Sequence, residues 1–96
     1  MLTQFAIQRA SPRDKSYKLA DGNGLSLLVQ PNGKKHWRFR YFFAQKENML
    51  AFGAFPDVPL ATARKKRDQA RGLLAELPPQ FGGVLYEILD AMQHQA

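Results

Sequence analysis

The stretch Lys34-Lys35-His36-Trp37-Arg38-Phe39-Arg40-Tyr41-Phe42-Phe43 alternates with period two. A strand points successive side chains to opposite faces, so Trp37, Phe39 and Tyr41 share one side and His36, Arg38, Arg40 and Phe42 the other. The first side suits a core and the second is cationic. Two arginines on a pleated surface can reach phosphates or the acceptor edge of guanine together, and a two-stranded ribbon fits the major groove of DNA. A solvated sheet face with incidental charge would show the same alternation, so this strand alone leaves both readings open.

Working outward, Leu25, Leu27 and Val29 alternate with Ser26, Leu28 and Gln30, giving a second strand whose first set faces the core. Pro31-Asn32-Gly33-Lys34 joins the two strands as a hairpin with a basic rim. Before them, Tyr17-Lys18-Leu19-Ala20 is a short strand entering the turn Asp21-Gly22-Asn23-Gly24, whose residues tolerate positive φ. Gly22 and Gly24 also spell G-x-G, but no helix follows and the third glycine is missing, so turn geometry explains them better than a nucleotide loop. Leu2 to Ala10 is expected to be a short helix capped by Thr3, with Leu2, Phe5, Ala6 and Ile7 on its covered side and Pro12 ending it.

Beyond Phe43, Ala44-Gln45-Lys46-Glu47 reverses the chain, and Met49 to Phe52 returns with Leu50 and Phe52 as the core pair. Pro56 and Pro59 end the sheet. From Leu60 the period changes: Leu60, Ala63, Ala70, Leu74 and Leu77 form one stripe on a main helix reaching about Glu76. Its run Arg64-Lys65-Lys66-Arg67 circles the helix; Arg64 and Arg71 share a flank that can reach phosphates, while Arg67, near the stripe, must snorkel. After Pro78-Pro79 and Gly82-Gly83, the residues Val84, Leu85, Ile88, Leu89 and Met92 line one side of an acidic amphipathic helix on a hinge. That helix either docks on its own domain or meets a partner. The expected fold is α+β: a small antiparallel three-stranded sheet, with a short extra N-terminal strand, packed against one main helix, and a second helix at the C-terminus. Residues 1–77 form the domain and 78–96 the hinge and appended helix.

Ninety-six residues suffice for one compact core. All 14 basic residues lie at or before Arg71, and residues 1–76 hold six acids, so that part carries +8 and the last twenty residues −2. Such concentrated positive charge suits a polyanionic partner. The absence of cysteine fits a reducing compartment, and no apolar run approaches the ~20 residues of a membrane span, so a cytoplasmic protein without membrane contact is expected. His36 and His94 lie in unrelated segments without carboxylates at ligand spacing, and Ser11, Ser16 and Ser26 have no base nearby in sequence. Neither metal, cofactor nor catalysis is expected of this chain.

The order of motifs resembles the amino-terminal domain of prophage and genomic-island integrases of the tyrosine-recombinase class. The family's pattern is a Y-K-L-x-D-G-x-G-L loop and strand, a W-R-F-R-Y strand, an L-x-L-G-x-Y-P-D turn and an L-x-x-A-R helix. Here these stand at Tyr17–Leu25, Trp37–Tyr41, Leu50–Asp57 and Leu60–Arg64, with Phe52 and Phe55 in place of the family's leucine and tyrosine. The resemblance implies a bacterial, nucleoid-associated domain that binds double-stranded DNA at arm-type attachment sites, with the exposed sheet face in the major groove. Departures are Pro59 for a serine cap, and Ala6, Gln8 and Met49 where the family has basic residues. The family's catalytic arginine, histidine and tyrosine constellation has no counterpart here, and Tyr86 stands outside any such context.

The leading expectation is therefore a non-catalytic, sequence-selective DNA-binding module. Arg38 and Arg40 read bases; Lys18, Lys34, Lys35, Lys46 and Arg64 hold phosphates; Ser26, Gln30 and His36 complete the interface. The alternative is a protein-interaction module, an integrase remnant that forms a homodimer or joins a recombination complex through Val84, Leu85, Ile88, Leu89 and Met92.

Overall fold

Thr3 caps the first helix in the computed structural model, which describes residues 1–43 and 45–76. Its Oγ1 accepts the Ala6 N–H at 3.0 Å and starts α1 (Gln4–Arg9). Fewer than two turns long, α1 drives a single anchor, Ile7, into the core and leaves Ala6 exposed. Phe5, expected on the covered side, is instead 64% exposed, with the Arg9 guanidinium 5.1 Å from its ring centre.

Four strands follow: β1 (Tyr17–Gly22), β2 (Leu25–Val29), β3 (Lys35–Phe43) and β4 (Lys46–Phe55), antiparallel and in sheet order β1-β2-β3-β4. The α+β class holds, but the sheet has four full members: β1 pairs along its length, with Tyr17 opposite Val29 and Leu19 opposite Leu27. Glycine is required at position 24, where φ is +91° and a Cβ would stand 2.3 Å from the Arg40 carbonyl oxygen. That close approach lets the Arg40 N–H donate to the Gly24 oxygen at 2.9 Å and sews the β1–β2 turn to β3.

A bulge in β4 extends the strand beyond the expected Met49–Phe52 span. Trp37 pairs with Gly53 and Arg38 with Ala51, so Phe52 is the extra residue. Strict alternation from Leu50 and Phe52 would send Ala54 inward and Phe55 outward. The inserted residue reverses this: Ala54 pairs with His36, and Phe55 pairs with Lys35 and packs against the core.

The inner sheet face is closed by α2 (Leu60–Glu76) and α1. Leu25, Leu27, Val29, Trp37, Phe39 and Tyr41 share one buried cluster with Ile7, Leu60, Ala63 and Ala70. Phe39 stacks on Tyr41 and Phe52, and the Trp37 indole donates to the Val58 oxygen at 2.7 Å, which satisfies its one polar atom in the core. Burial pushes the Tyr41 phenol's pKa up.

Arg67 does not snorkel. It is 7% exposed, and its Nη1 donates to Asp21 Oδ2 at 3.1 Å. Asp21 sits at the irregularity in β1, between the pairs Ala20–Ser26 and Gly22–Leu25, with its side chain wholly buried. Its carboxylate also accepts Arg64 Nε at 3.0 Å, Arg64 Nη2 at 2.8 Å and the Leu2 N–H at 2.8 Å, while Arg64 Nη2 returns to the Leu2 oxygen at 2.7 Å. One carboxylate thus ties β1, the entry to α1 and α2 together. The Arg64 hydrogen bonds outweigh burial and hold the Asp21 carboxyl below the usual carboxylate range, and the same contact raises Arg64.

Candidate nucleic-acid interface

With the helices on the inner face, the outer face of the sheet is left uncovered among the described residues. Register sets its side chains in rows. Lys18, Leu28, His36 and Ala54 form one, and Ala20, Ser26, Arg38 and Ala51 the next. Arg40 then pairs with Met49, and Phe42 with Glu47 at the end of the β3–β4 hairpin. Three cations flank a shallow basin of about 220 Å³ whose floor is Ala20, Gly22, Gly24 and Ser26. Small floor residues let Lys18, Arg38 and Arg40 stand proud of the backbone. Among the described residues neither Lys18 nor Arg38 has a carboxylate partner, whereas Arg40 Nε lies 3.3 Å from Glu47 Oε1.

Five of the ten expected contact residues therefore share this face: Lys18, Ser26, His36, Arg38 and Arg40. Gln30 and Lys34 border it at the β2–β3 turn, where the Gln30 N–H donates to the Lys34 oxygen at 2.9 Å and Asn32 Oδ1 accepts the Lys34 N–H. Lys46 is exposed at the hairpin tip, but it pairs with Phe43 and so alternates onto the side of Tyr41.

Two residues stand apart. Lys35 pairs with Phe55 in the inward row, and its ammonium donates to the Ile7 oxygen at 2.7 Å, so it satisfies an α1 carbonyl beneath the sheet. Arg64 is committed to Asp21 and Leu2 on the helix side, away from the cationic rows. Both are explained by acceptors that the fold brings from distant sequence. Sequence reasoning noted Met49 only as a departure from a basic family position and missed Glu47 as a member of the outer face; the period-two pattern, carried back along β4 from Leu50, would have placed both there.

The family model for the arm DNA-binding domain matches residues 2–76. The chain belongs to that family. The arm domain is 50% identical to the integrase of Enterobacteria phage P4 over 72 residues, which is 73% of this chain and 16% of the relative. It is 47% identical to the prophage integrase IntZ of Escherichia coli K12 over 76 residues, 77% of this chain and 19% of the relative. The integrase of Shigella phage Sf6 is 46% identical over 71 residues, 74% of this chain and 18% of that protein. The chain thus spans less than a fifth of the length of these curated relatives. As an arm DNA-binding domain it takes double-stranded DNA as its partner, in keeping with the cationic rows. Among the described residues no helix is long and apolar enough to cross a membrane.

Proposed function

We propose that this arm domain binds double-stranded DNA selectively at arm-type attachment sites, laying the outer face of its sheet in the major groove. The observation that carries the reading is the pairing of Arg38 with Ala51 and Ser26, and of His36 with Leu28, on a face that neither helix covers. Low neighbours on either side let Arg38 reach past the backbone, and a two-stranded β-ribbon enters the major groove, where each base pair presents a distinct donor and acceptor pattern. Lys18, Lys34 and the exposed Lys46 serve as phosphate contacts around the rim, which fix register without carrying sequence information. On this reading residues 1–77 form the recognition unit in the bacterial cytoplasm, and recognition involves no bond breaking.

Fluorescence anisotropy with a duplex carrying attachment-arm repeats, against a scrambled duplex at the same salt, tests this. We expect the repeats to bind at least ~10³-fold more tightly, the low end for specific over non-specific DNA binding. Equal affinity for both duplexes would reduce the domain to a general polyanion binder. The alternative of a protein-interaction module rests on residues 84–92, which lie outside the described residues.

A further inference from the structure

Glu47 is an acid on the face proposed to meet a polyanion, and its place there calls for an explanation. It stands opposite Phe42, diagonal to Arg40, and its Oε1 approaches Arg40 at Nε rather than capping the end of the guanidinium. A guanidinium has two donor edges. A carboxylate whose nearest approach is at Nε leaves Nη1 and Nη2 as a second, two-pronged donor edge on a side chain that is largely exposed. That fork matches guanine, which presents O6 and N7 side by side in the major groove.

The pair's flanks support the same reading. Both side chains are exposed, Arg40 to 65% and Glu47 to 51%, so the fork is available to solvent and to a ligand. Phe42, 70% exposed, and Met49, 55% exposed, stand on either side as the strand partners of Glu47 and Arg40. An exposed ion pair is worth little in water, but closing a groove over these two apolar side chains dehydrates it and strengthens its hold on the guanidinium. Glu47 also acts against binding elsewhere. Where no guanine faces the fork, its charge faces only phosphates, and like charges oppose the contact.

We propose that Arg40 and Glu47 form a reader of one G·C base pair, with Arg40 contacting guanine and Glu47 acting as a positioning residue that also suppresses non-specific binding. The inference rests on the reading of the outer face as the DNA interface. Its test is selection from a pool of random duplexes at fixed salt by the whole chain, in parallel with Glu47→Ala and Arg40→Ala.

The parent should enrich sites sharing a G·C pair that both variants stop preferring, with a drop in that preference of roughly tenfold. Glu47→Ala should in addition bind the unselected pool more tightly, with a salt dependence steeper by about one ion as Arg40 turns to a phosphate. Its melting temperature should equal the parent's. A Glu47→Ala variant that keeps the G·C preference, or that changes affinity for every duplex by one factor, overturns the positioning role. Enrichment by the parent that persists unchanged in Arg40→Ala leaves the interface standing and overturns the reader. A parent that enriches no site overturns the selective interface itself, and the reader with it.

Discussion

Arg64 and Arg67 on α2, and Arg38 and Arg40 on β3, are two arginine pairs of nearly equal spacing with opposite fates. The helix pair turns inward onto Asp21, and the strand pair stands outward with Glu47 as its one described carboxylate contact. Side-chain chemistry is identical, so the difference lies in what the fold brings within reach. A desolvated carboxylate 43 residues from Arg64 captures one pair, whereas the strand pair meets only the small Ser26 and Ala51 beside Arg38 and an exposed Glu47 beside Arg40. Cation count is therefore a poor guide to a DNA surface; the location of acids in three dimensions decides which cations remain for it.

The sharpest way to break this contrast is Asp21→Ala. It strips two arginines and the Leu2 N–H of their common acceptor and should lower the unfolding free energy by about 3–5 kcal/mol in urea titrations. A variant as stable as the parent but unable to bind DNA would make the buried pair functional and erase the contrast. The same residue predicts a pH dependence. Because the folded state holds Asp21 below its unfolded value, its contribution is full above the unfolded pKa of ~3.9 and is lost as pH falls through the folded pKa. The gap in urea midpoint between parent and Asp21→Asn should stay level from neutral pH to about 5 and narrow only in stronger acid.

Arg38→Ala sharpens the other side. It should cost about 1–3 kcal/mol of affinity for a preferred duplex, read by anisotropy, with the melting temperature unmoved. A matching loss of stability would place Arg38 with the structural arginines. The smallest effect is expected from Lys35→Met, a cation one residue off the proposed DNA face: about 1–2 kcal/mol of stability through the lost Ile7 contact, and no change in salt dependence.

Much of the scaffold was legible in the sequence because it rests on local rules. The alternation in β3 placed Trp37 and Phe39 inside and Arg38 and Arg40 outside, Thr3 announced its helix, and Leu50 and Phe52 were found as core residues of the returning strand. What could not be read depends on contacts between distant segments. Asp21 looked like turn chemistry beside two glycines, and nothing local shows that an irregularity in β1 places it beneath two helix arginines. The bulge at Phe52 lets Phe55 reach the core side, a change of parity that strict alternation cannot express. Lys35 was grouped with the interface as part of a basic turn rim and Arg64 for its flank on the helix, and their acceptors, Ile7 for the first and Asp21 with Leu2 for the second, lie 28 or more residues away. Phe5 was assigned to a helix face that six residues are too short to bury. The proposed division at residue 77 and the helix beyond it lie outside the described residues.

The sheet order β1-β2-β3-β4 has a kinetic corollary. Each strand pairs with its sequence neighbour, so every ladder can zip from its own turn without waiting for a remote segment, on the microsecond scale of hairpin formation. The long closure is α2 returning to β1, where Arg64 and Arg67 meet Asp21 across 43 and 46 residues. Loop-closure entropy puts that union late, after the sheet has begun to form. Asp21→Ala should then accelerate unfolding far more than it slows folding, because the contact it removes is among the last to form and the first to part. The ladders of β2 and β3, which carry the proposed interface, would be assembled before the clamp that makes them last.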